Sequence, residues 1–547
     1  CLDRLVPLVI AAVIDTGIAG GDRGYVVRMC LLLVGLGIVG LVFSITAQYF
    51  AAKASVGFVT KLRHALFDHM QGLSYTELDT IGTSTLITRM TSDMNQVQSG
   101  MNLTLRLLLR SPFVVFGAMI MAFTIDVKAA LIFAAAIPVL SLVVFGIMLW
   151  CIPLYKRVQR KLDGVLSATR ENLTGVRVIR AFCKEEEQIS RFDDCNQDLT
   201  RTQKYVGRIS ALMNPVTYIL INLAIIWLVY TGALRVDAGL ISQGAVVALY
   251  NYMSQILVEL IKLANLIINI TKSVACGNRI QSVFEIRSSL DAPEQAPAPK
   301  DFSYAVEFDH VTLRYANAGD DSLSDISFAA RPGETIGVIG STGSGKSSLV
   351  NLIPRFYDAS AGQVLVDGIH VKEYPLDDLR NRIGVVPQKA VLFKGTIRDN
   401  LRWGNPDATD AQLLEAVQTA QAGEVLAQKG GLDFELEQGG KNLSGGQKQR
   451  FTIARALVKH PKILILDDSA SALDFATDAA LRKEIREMPG NPTVFIVSQR
   501  TSSLQHADQI LVLEDGAVVG AGTHTQLLES CPVYQEIYQS QFRKEDA

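Results

Sequence analysis

Residues 340–347 read Gly-Ser-Thr-Gly-Ser-Gly-Lys-Ser, a glycine-rich turn closed by a lysine and a serine. An apolar run, residues 335–339, precedes it and reads as a strand; residues 348–356 read as a helix. The pattern G-x-x-x-x-G-K-[ST] between a strand and a helix restricts this part of the chain to an α/β fold with a phosphate-binding loop. In such a loop Gly340, Gly343 and Gly345, with Ser341, Thr342 and Ser344 between them, turn backbone N–H groups inward on phosphate oxygens. The helix that opens at Ser348 adds a partial positive charge. Lys346 is expected to reach the β- and γ-phosphates and Ser347 to hold Mg²⁺. The implied ligands are a nucleoside triphosphate and Mg²⁺.

The chain around this loop is apolar: of 547 residues 49% are hydrophobic and only 19% charged, which is unusual for a soluble protein. The apolar residues concentrate in the first half. A net charge of -2 gives no case for nucleic-acid binding. The seven cysteines fall at scattered spacings without a C-x-x-C pair, so neither a disulfide framework nor a zinc site is implied. Cys183 and Cys195 read as free thiols in a cytosolic stretch. The chain starts at Cys1, so an N-terminal piece is expected to be missing, and no cleavable signal peptide is read.

A membrane helix needs about 20 apolar residues. Residues 5–14 are too few and read as the outer end of a truncated first span. Residues 25–50 form a second, with Tyr49 and Phe50 near its end, where aromatic belts lie. Residues 107–125 and 129–152 are the third and fourth, joined by a tight turn at Asp126-Val127-Lys128; 218–234 and 245–270 complete six. Glu259 and Lys262 fall in the last span, either on a substrate or gating surface or as a charge pair near a water-filled cavity. Asn214 and Asn222 suit interhelical hydrogen bonds. The short turns at 15–24, 126–128 and 235–242 hold few Lys and Arg, whereas 53–110 and 155–208 hold many. By the positive-inside rule these long stretches are cytosolic. Residues 61–103, broken near Gly82, predict two helices of about 25 residues that project on the order of 40 Å from the bilayer. The turn between them, near 74–83, is a candidate docking element.

Residues 288–300, with Pro293, Pro297 and Pro299, read as a linker. From Tyr304 onward strand-like runs at 305–308, 335–339, 363–366, 463–466, 493–497 and 509–513 alternate with helical ones, which predicts a mostly parallel sheet. Tyr315 lies upstream of the loop, suited to stack on adenine or simply to pack. Gln388 ends the run 383–386, suited to touch Mg²⁺ and sense the γ-phosphate. Leu443-Ser444-Gly445-Gly446-Gln447 opens a helix and supplies a hydroxyl and backbone N–H groups for an anion. Residues 463–467 form a buried strand ending in Asp467, the Walker B arrangement for Mg²⁺. Ser471-Ala472-Leu473-Asp474 follows.

In this order the motifs resemble the nucleotide-binding domain of ATP-binding cassette (ABC) transporters, with residues 443–447 as the discriminating signature. Six spans and two long cytosolic projections make the whole chain resemble a type IV exporter half-transporter. The resemblance implies a polytopic α-helical membrane domain (1–287), a linker (288–304) and an α/β P-loop cassette (305–547). It makes the nucleotide ATP and implies a dimer in which each ATP lies between the P-loop of one cassette and the signature of the other, here Ser444, Gly445, Gly446 and Gln447. It also implies a second docking turn near 200–208, and that residues 387–404 receive the projecting turns.

Two positions depart from the family pattern. A glutamate usually follows the Walker B aspartate and polarises the attacking water; here it is Asp468. Its carboxylate sits about 1.5 Å back, and a 1 Å misplacement can cost on the order of 10²-fold in rate. A histidine usually ends the next strand; here it is Gln499, which cannot become an imidazolium. Both departures surround the γ-phosphate, while the signature is intact. That combination resembles the degenerate-site subunit of heterodimeric bacterial multidrug-type exporters. Residues 437–440 are only loosely similar to the exporter-specific loop. The expectation is a subunit in the bacterial cytoplasmic membrane, cassette in the cytosol, exporting a small-molecule, lipid or peptide substrate with a second half-transporter. The rivals are a homodimeric exporter with slow sites and an ATP-gated channel or regulatory protein.

Overall fold

The computed structural model describes residues 4–295, 302–316, 318–469 and 471–542. Part of the expected linker, 296–301, lies outside the described residues. The chain divides into two compact units: Cys1–Met70 with Ser84–Glu285, and Gln71–Thr83 with Ile286–Ala547.

The first unit is helical. Among the described residues four helical stretches are long and apolar enough to cross a membrane: Arg23–Gln71, Thr83–Ile125, Val127–Thr174 and Glu185–Asp237, beside a shorter apolar stretch, Leu5–Ile18. A further helix, Gln243–Phe284, runs 42 residues. The 49 residues of Arg23–Gln71 extend about 70 Å at 1.5 Å per residue, against a hydrocarbon core of about 30 Å. The polar half of that helix therefore lies outside the apolar layer, as its lysines and arginines require. Phe133, Leu140, Leu228, Tyr252 and Met253 lie in the buried core.

The short turns are tied by side chains. Asp126 Oδ1 accepts from Ala129 N at 2.8 Å to start the helix Val127–Thr174, and its carboxylate pairs with Arg235. Asp15 accepts from Ser242 Oγ at 2.5 Å and Gly244 N at 2.8 Å. Lys262 Nζ lies 3.1 Å from Glu259, and the buried Ser111 hydroxyl 3.4 Å from the same carboxylate. Asn222 does not reach across to another helix: its Nδ2 donates to Tyr218 O of its own helix at 2.8 Å.

One local expectation is corrected. Residues 200–208 do not form a turn; they sit inside the unbroken helix Glu185–Ala211. The short element between the long helices is Val176–Ala181, set off by Gly175 before it and by Cys183, at φ 52°, after it. The other expected break stands at Gly82, with φ 79°, after the short helix Tyr75–Ile81.

The second unit carries twelve strands among its described residues: β1 (Val306–Leu313), β2 (Leu323–Ala330), β3 (Thr335–Gly340), β4 (Ala361–Val366), β5 (Ile369–His370), β6 (Ile383–Val386), β7 (Gly395–Thr396), β8 (Glu435–Leu436), β9 (Ile463–Asp467), β10 (Thr493–Val497), β11 (Gln509–Glu514) and β12 (Ala517–Gly522). Six form a sheet in the order β12-β11-β3-β10-β9-β6, parallel except for β12. A second, antiparallel sheet, β2-β1-β4-β5, packs against it through a shared core that includes Phe328 and Phe495. All five residues of β9 and of β10 are buried, as continuous apolar runs in a parallel sheet covered on both faces require. Consequently the loops after β3, β6, β9 and β10 share the carboxyl edge of one sheet, where ligands bind in such folds.

Candidate ATP site

The turn after β3 needs backbone that only glycine adopts freely: Gly343 has φ 87° and Gly345 φ 94°. A Cβ on Gly345 would lie 2.6 Å from Ser322 O. The helix that follows is Lys346–Leu352 and ends sooner than expected at 356, because Pro354 follows and Arg355 turns at φ 51°. Lys346 Nζ curls over the loop, donating to Gly340 O at 3.0 Å, Ser341 O at 2.5 Å and Ser344 Oγ at 3.4 Å. Burial pulls its ammonium below the ordinary lysine range, with the charges of Asp468 and Asp467 opposing.

Ser347 Oγ donates to Asp467 Oδ1 at 2.9 Å, bringing the end of β9 to the first turn of the loop helix. Burial pushes the Asp467 carboxyl up; the Ser347 bond opposes this and the charge of Asp468 adds to it. A carboxylate and a hydroxyl in contact, in a setting that penalises uncompensated negative charge, fit a hard divalent cation with oxygen ligands. With the Gln388 amide oxygen they are the residues that would hold Mg²⁺. Bound there with the nucleotide, it neutralises charge on the β- and γ-phosphates.

Asp468 adopts φ 44°, a left-handed conformation aspartate tolerates better than most residues. Its amide donates to Val497 O at 3.0 Å, and its carboxylate accepts from Gln388 Nε2 at 3.3 Å. A cavity of about 700 Å³ opens here, lined by Thr342, Gly343, Lys346 to Ser348, Gln388, Asp467, Asp468 and Gln499, among others. Ser444 to Gln447 do not line it. They form the start of the helix Gly445–Leu457, with Ser444 Oγ accepting from Gln447 N at 3.3 Å and Gln447 Oε1 from Ser444 N at 3.1 Å. Tyr315 is also outside the lining; its hydroxyl donates to Ser348 Oγ at 2.9 Å, and its ring meets Tyr357 edge-on at 5.0 Å.

Sequence reasoning missed two residues here. Tyr357 follows the loop helix and sits beneath Tyr315. Gln541, on the helix Pro532–Phe542, donates to Gln499 O at 2.7 Å and accepts from Thr501 N and Thr501 Oγ1, both at 2.9 Å. No local pattern marks a glutamine near a chain's end as a brace for a loop 42 residues away.

A helical membrane unit joined to a cassette with this loop and strand-end chemistry defines an ATP-driven membrane transporter. The family profile described as ABC transporter transmembrane region matches residues 1–260, and the one described as ABC transporter matches residues 323–471. An uncharacterised ABC transporter ATP-binding protein of Mycobacterium tuberculosis is 38% identical over 98% of this chain and 93% of its own length. The ATP-dependent lipid A-core flippase of Escherichia coli is 29% identical over 99% of this chain and 93% of its own. The fold is similar to that of a bacterial Atm1-family ABC exporter with ATP bound, at TM-score 0.82, 23% identity, 99% of this chain and 96% of that one. The chain belongs to the ABC transporter family. It is an exporter subunit that couples ATP hydrolysis to transport across a lipid bilayer, uses ATP and Mg²⁺, and carries its cassette in the cytosol.

Proposed function

We propose that this chain is the degenerate-site half of a heterodimeric exporter. Its own P-loop binds ATP and Mg²⁺ and holds them, while Ser444, Gly445, Gly446 and Gln447 complete the hydrolytic site of the partner. The observation that carries this reading is the state of Asp468. Its carboxylate is one methylene short, and it is already occupied by the Gln388 amide. Beside it, Gln499 offers an amide where a titratable ring would serve. The signature, by contrast, has the satisfied cap that aims a helix N-terminus at an anion. Gly340 to Ser348 would hold the phosphates, Tyr315 the base side, and Ser347, Asp467 and Gln388 the metal.

The proposed domain limits are 1–287 for the membrane domain, 288–304 for the linker and 305–547 for the cassette. The substrate is a hydrophobic or amphipathic molecule moved out of the cytosol. A lipid is the class suggested by the flippase among the relatives. The test is the ATPase of the full chain purified alone in nanodiscs, set against the chain co-expressed with a half-transporter that has the Walker B glutamate. The reading expects activity only with the partner. Robust turnover by the chain alone would establish a homodimer of slow sites instead.

A further inference from the structure

We infer that the groove between the helices Val127–Thr174 and Glu185–Ala211, where they leave the membrane, binds the phosphate headgroup of an anionic phospholipid of the cytosolic leaflet. This does not rest on the degenerate-site reading and needs only that the first unit spans a bilayer.

The groove lies wholly in the first unit. Its cavity of about 680 Å³ is lined by Leu154, Arg157, Arg160 and Lys161 from one helix and by Arg201, Thr202 and Tyr205 from the other. Residues three and four apart share a helix face, so 154, 157 and 161 on one side meet 201 and 205 on the other. Two contacts fix the antiparallel register: Tyr155 Oη lies 3.3 Å from Ser210 Oγ, and Lys161 forms an ion pair with Asp198. That pair neutralises one of the four cations. Arg157, Arg160 and Arg201 have no carboxylate partner among the described residues. Guanidiniums converging on one groove repel each other until an anion sits between them. Phosphate is the anion that their planar forks match, and the hydroxyls of Thr202 and Tyr205 add donors.

Depth selects the source of the phosphate. Successive spans alternate in direction, so with the cassette in the cytosol the stretch after the fourth span is cytosolic. Its apolar run ends at Ile152, which puts Arg157 about 8 Å and Arg160 about 12 Å further along at 1.5 Å per residue. The headgroup layer fills roughly the first 5–8 Å beyond the hydrocarbon, and an arginine stem reaches back toward it. Trp150, Tyr155 and Tyr205 are 62%, 50% and 53% exposed on the same stretch, as rings at the boundary between lipid and water are. Leu154, the lining residue nearest the apolar run, offers a seat for the first acyl carbons. A phosphate free in the cytosol would use neither Leu154 nor the rings, whereas a lipid uses both.

The test titrates phosphatidylglycerol and phosphatidylcholine onto the full chain, alone and assembled with a second half-transporter, and counts bound lipids by native mass spectrometry. Phosphatidylglycerol should bind the wild type at least about tenfold more tightly than phosphatidylcholine. Arg157→Gln with Arg201→Gln should weaken phosphatidylglycerol by about 25-fold, about fivefold for each cation lost beside an anionic headgroup, and leave phosphatidylcholine within about twofold. Arg177→Gln with Arg180→Gln removes the same charge from the element Val176–Ala181, away from the groove, and should leave both lipids within about twofold. These four side chains are exposed, so both variants keep the fold. Glycerol 3-phosphate and inorganic phosphate in large excess should not displace the lipid. The proposal is overturned if the wild type binds the two lipids alike, or if Arg157→Gln with Arg201→Gln keeps the preference. It is overturned too if the Arg177 and Arg180 pair of changes loses as much, since net charge and not the groove would then be responsible. Displacement by the soluble phosphates would make the groove a site for a cytosolic anion instead. Loss of the preference on assembly with the second half-transporter would make it a protein interface, and either result overturns the lipid assignment.

Discussion

Gln388 Nε2 lies 3.3 Å from Asp468 Oδ2, so the side chain that follows β6 and the carboxylate that follows β9 satisfy each other across the floor of the ATP cavity. A carboxylate engaged in this way and one methylene short is poorly placed to orient water. Asp468→Glu should therefore raise ATP turnover at this site, by up to about 10²-fold if reach is the whole deficit. Asp468→Asn should change turnover of the paired transporter by less than about twofold, because an amide can keep the Gln388 contact. Phosphate release by the reconstituted pair decides both, and a severe loss in Asp468→Asn would show that Asp468 is the working base.

Ser444 supplies the opposite case. Its hydroxyl caps the helix Gly445–Leu457 and, on the proposed reading, is the group offered to the partner's nucleotide. Ser444→Ala should lower turnover of the pair by about 10²-fold, the usual loss of one aimed donor. The cap accounts for only about 1 kcal/mol of stability, so the variant should stay folded. Ser444→Thr, which retains a capping oxygen, should recover the stability. Equal and severe losses in Ser444→Ala and Asp468→Asn would sink the asymmetric reading.

The sequence made the phosphate loop, the β9 strand end and the signature helix legible because each is local: glycines at fixed offsets, a continuous apolar run, a Ser and a Gln three residues apart. What it hid is long-range. Residues 74–83 could be read as a docking turn, but nothing near Asp79 announces its partner Tyr357, 278 residues away. The short helix Val176–Ala181 was masked by Val176 and Ile179, which continue the apolar spacing of the helix before it. The polar run 200–208 imitated a turn but contains nothing that stops a helix. Its Gly207 is simply accommodated within Glu185–Ala211.

Asp467 sets a pH dependence with two opposite signs. Burial raises its carboxyl above the ordinary range. Its contribution to the stability of the nucleotide-free fold is therefore present below the unfolded pKa and is lost as pH rises through the folded one. Metal binding runs the other way, since the cation needs the carboxylate. Mg²⁺-ATP affinity should accordingly begin to fall at a higher pH than an ordinary aspartate would give. Without nucleotide, Asp467→Asn should raise Tm by about 2–4 °C per kcal/mol of relieved desolvation. With Mg²⁺-ATP that gain should be more than cancelled. Thermal unfolding across pH 4–8 (about the range where carboxylates finish titrating), with and without ligand, checks the sign of each effect.

Gln541 reaches the ATP site only through Gln499 and Thr501, and its two ends do different things. Its carbonyl oxygen accepts from the backbone and hydroxyl of Thr501, which is fully buried, and its amide nitrogen donates to Gln499 O. Gln541→Ala strands the Thr501 donors and should cost about 1–3 kcal/mol, read as a lower Tm together with weaker ATP binding. Gln541→Glu keeps an acceptor for Thr501 but sets a carboxylate oxygen against the Gln499 carbonyl. It should keep most of the Tm and still weaken ATP binding, because only the Gln499 side of the brace is lost. If Gln541→Glu binds ATP as the wild type does while Gln541→Ala does not, the helix Pro532–Phe542 supports the fold alone and takes no part in holding Gln499 at the cavity.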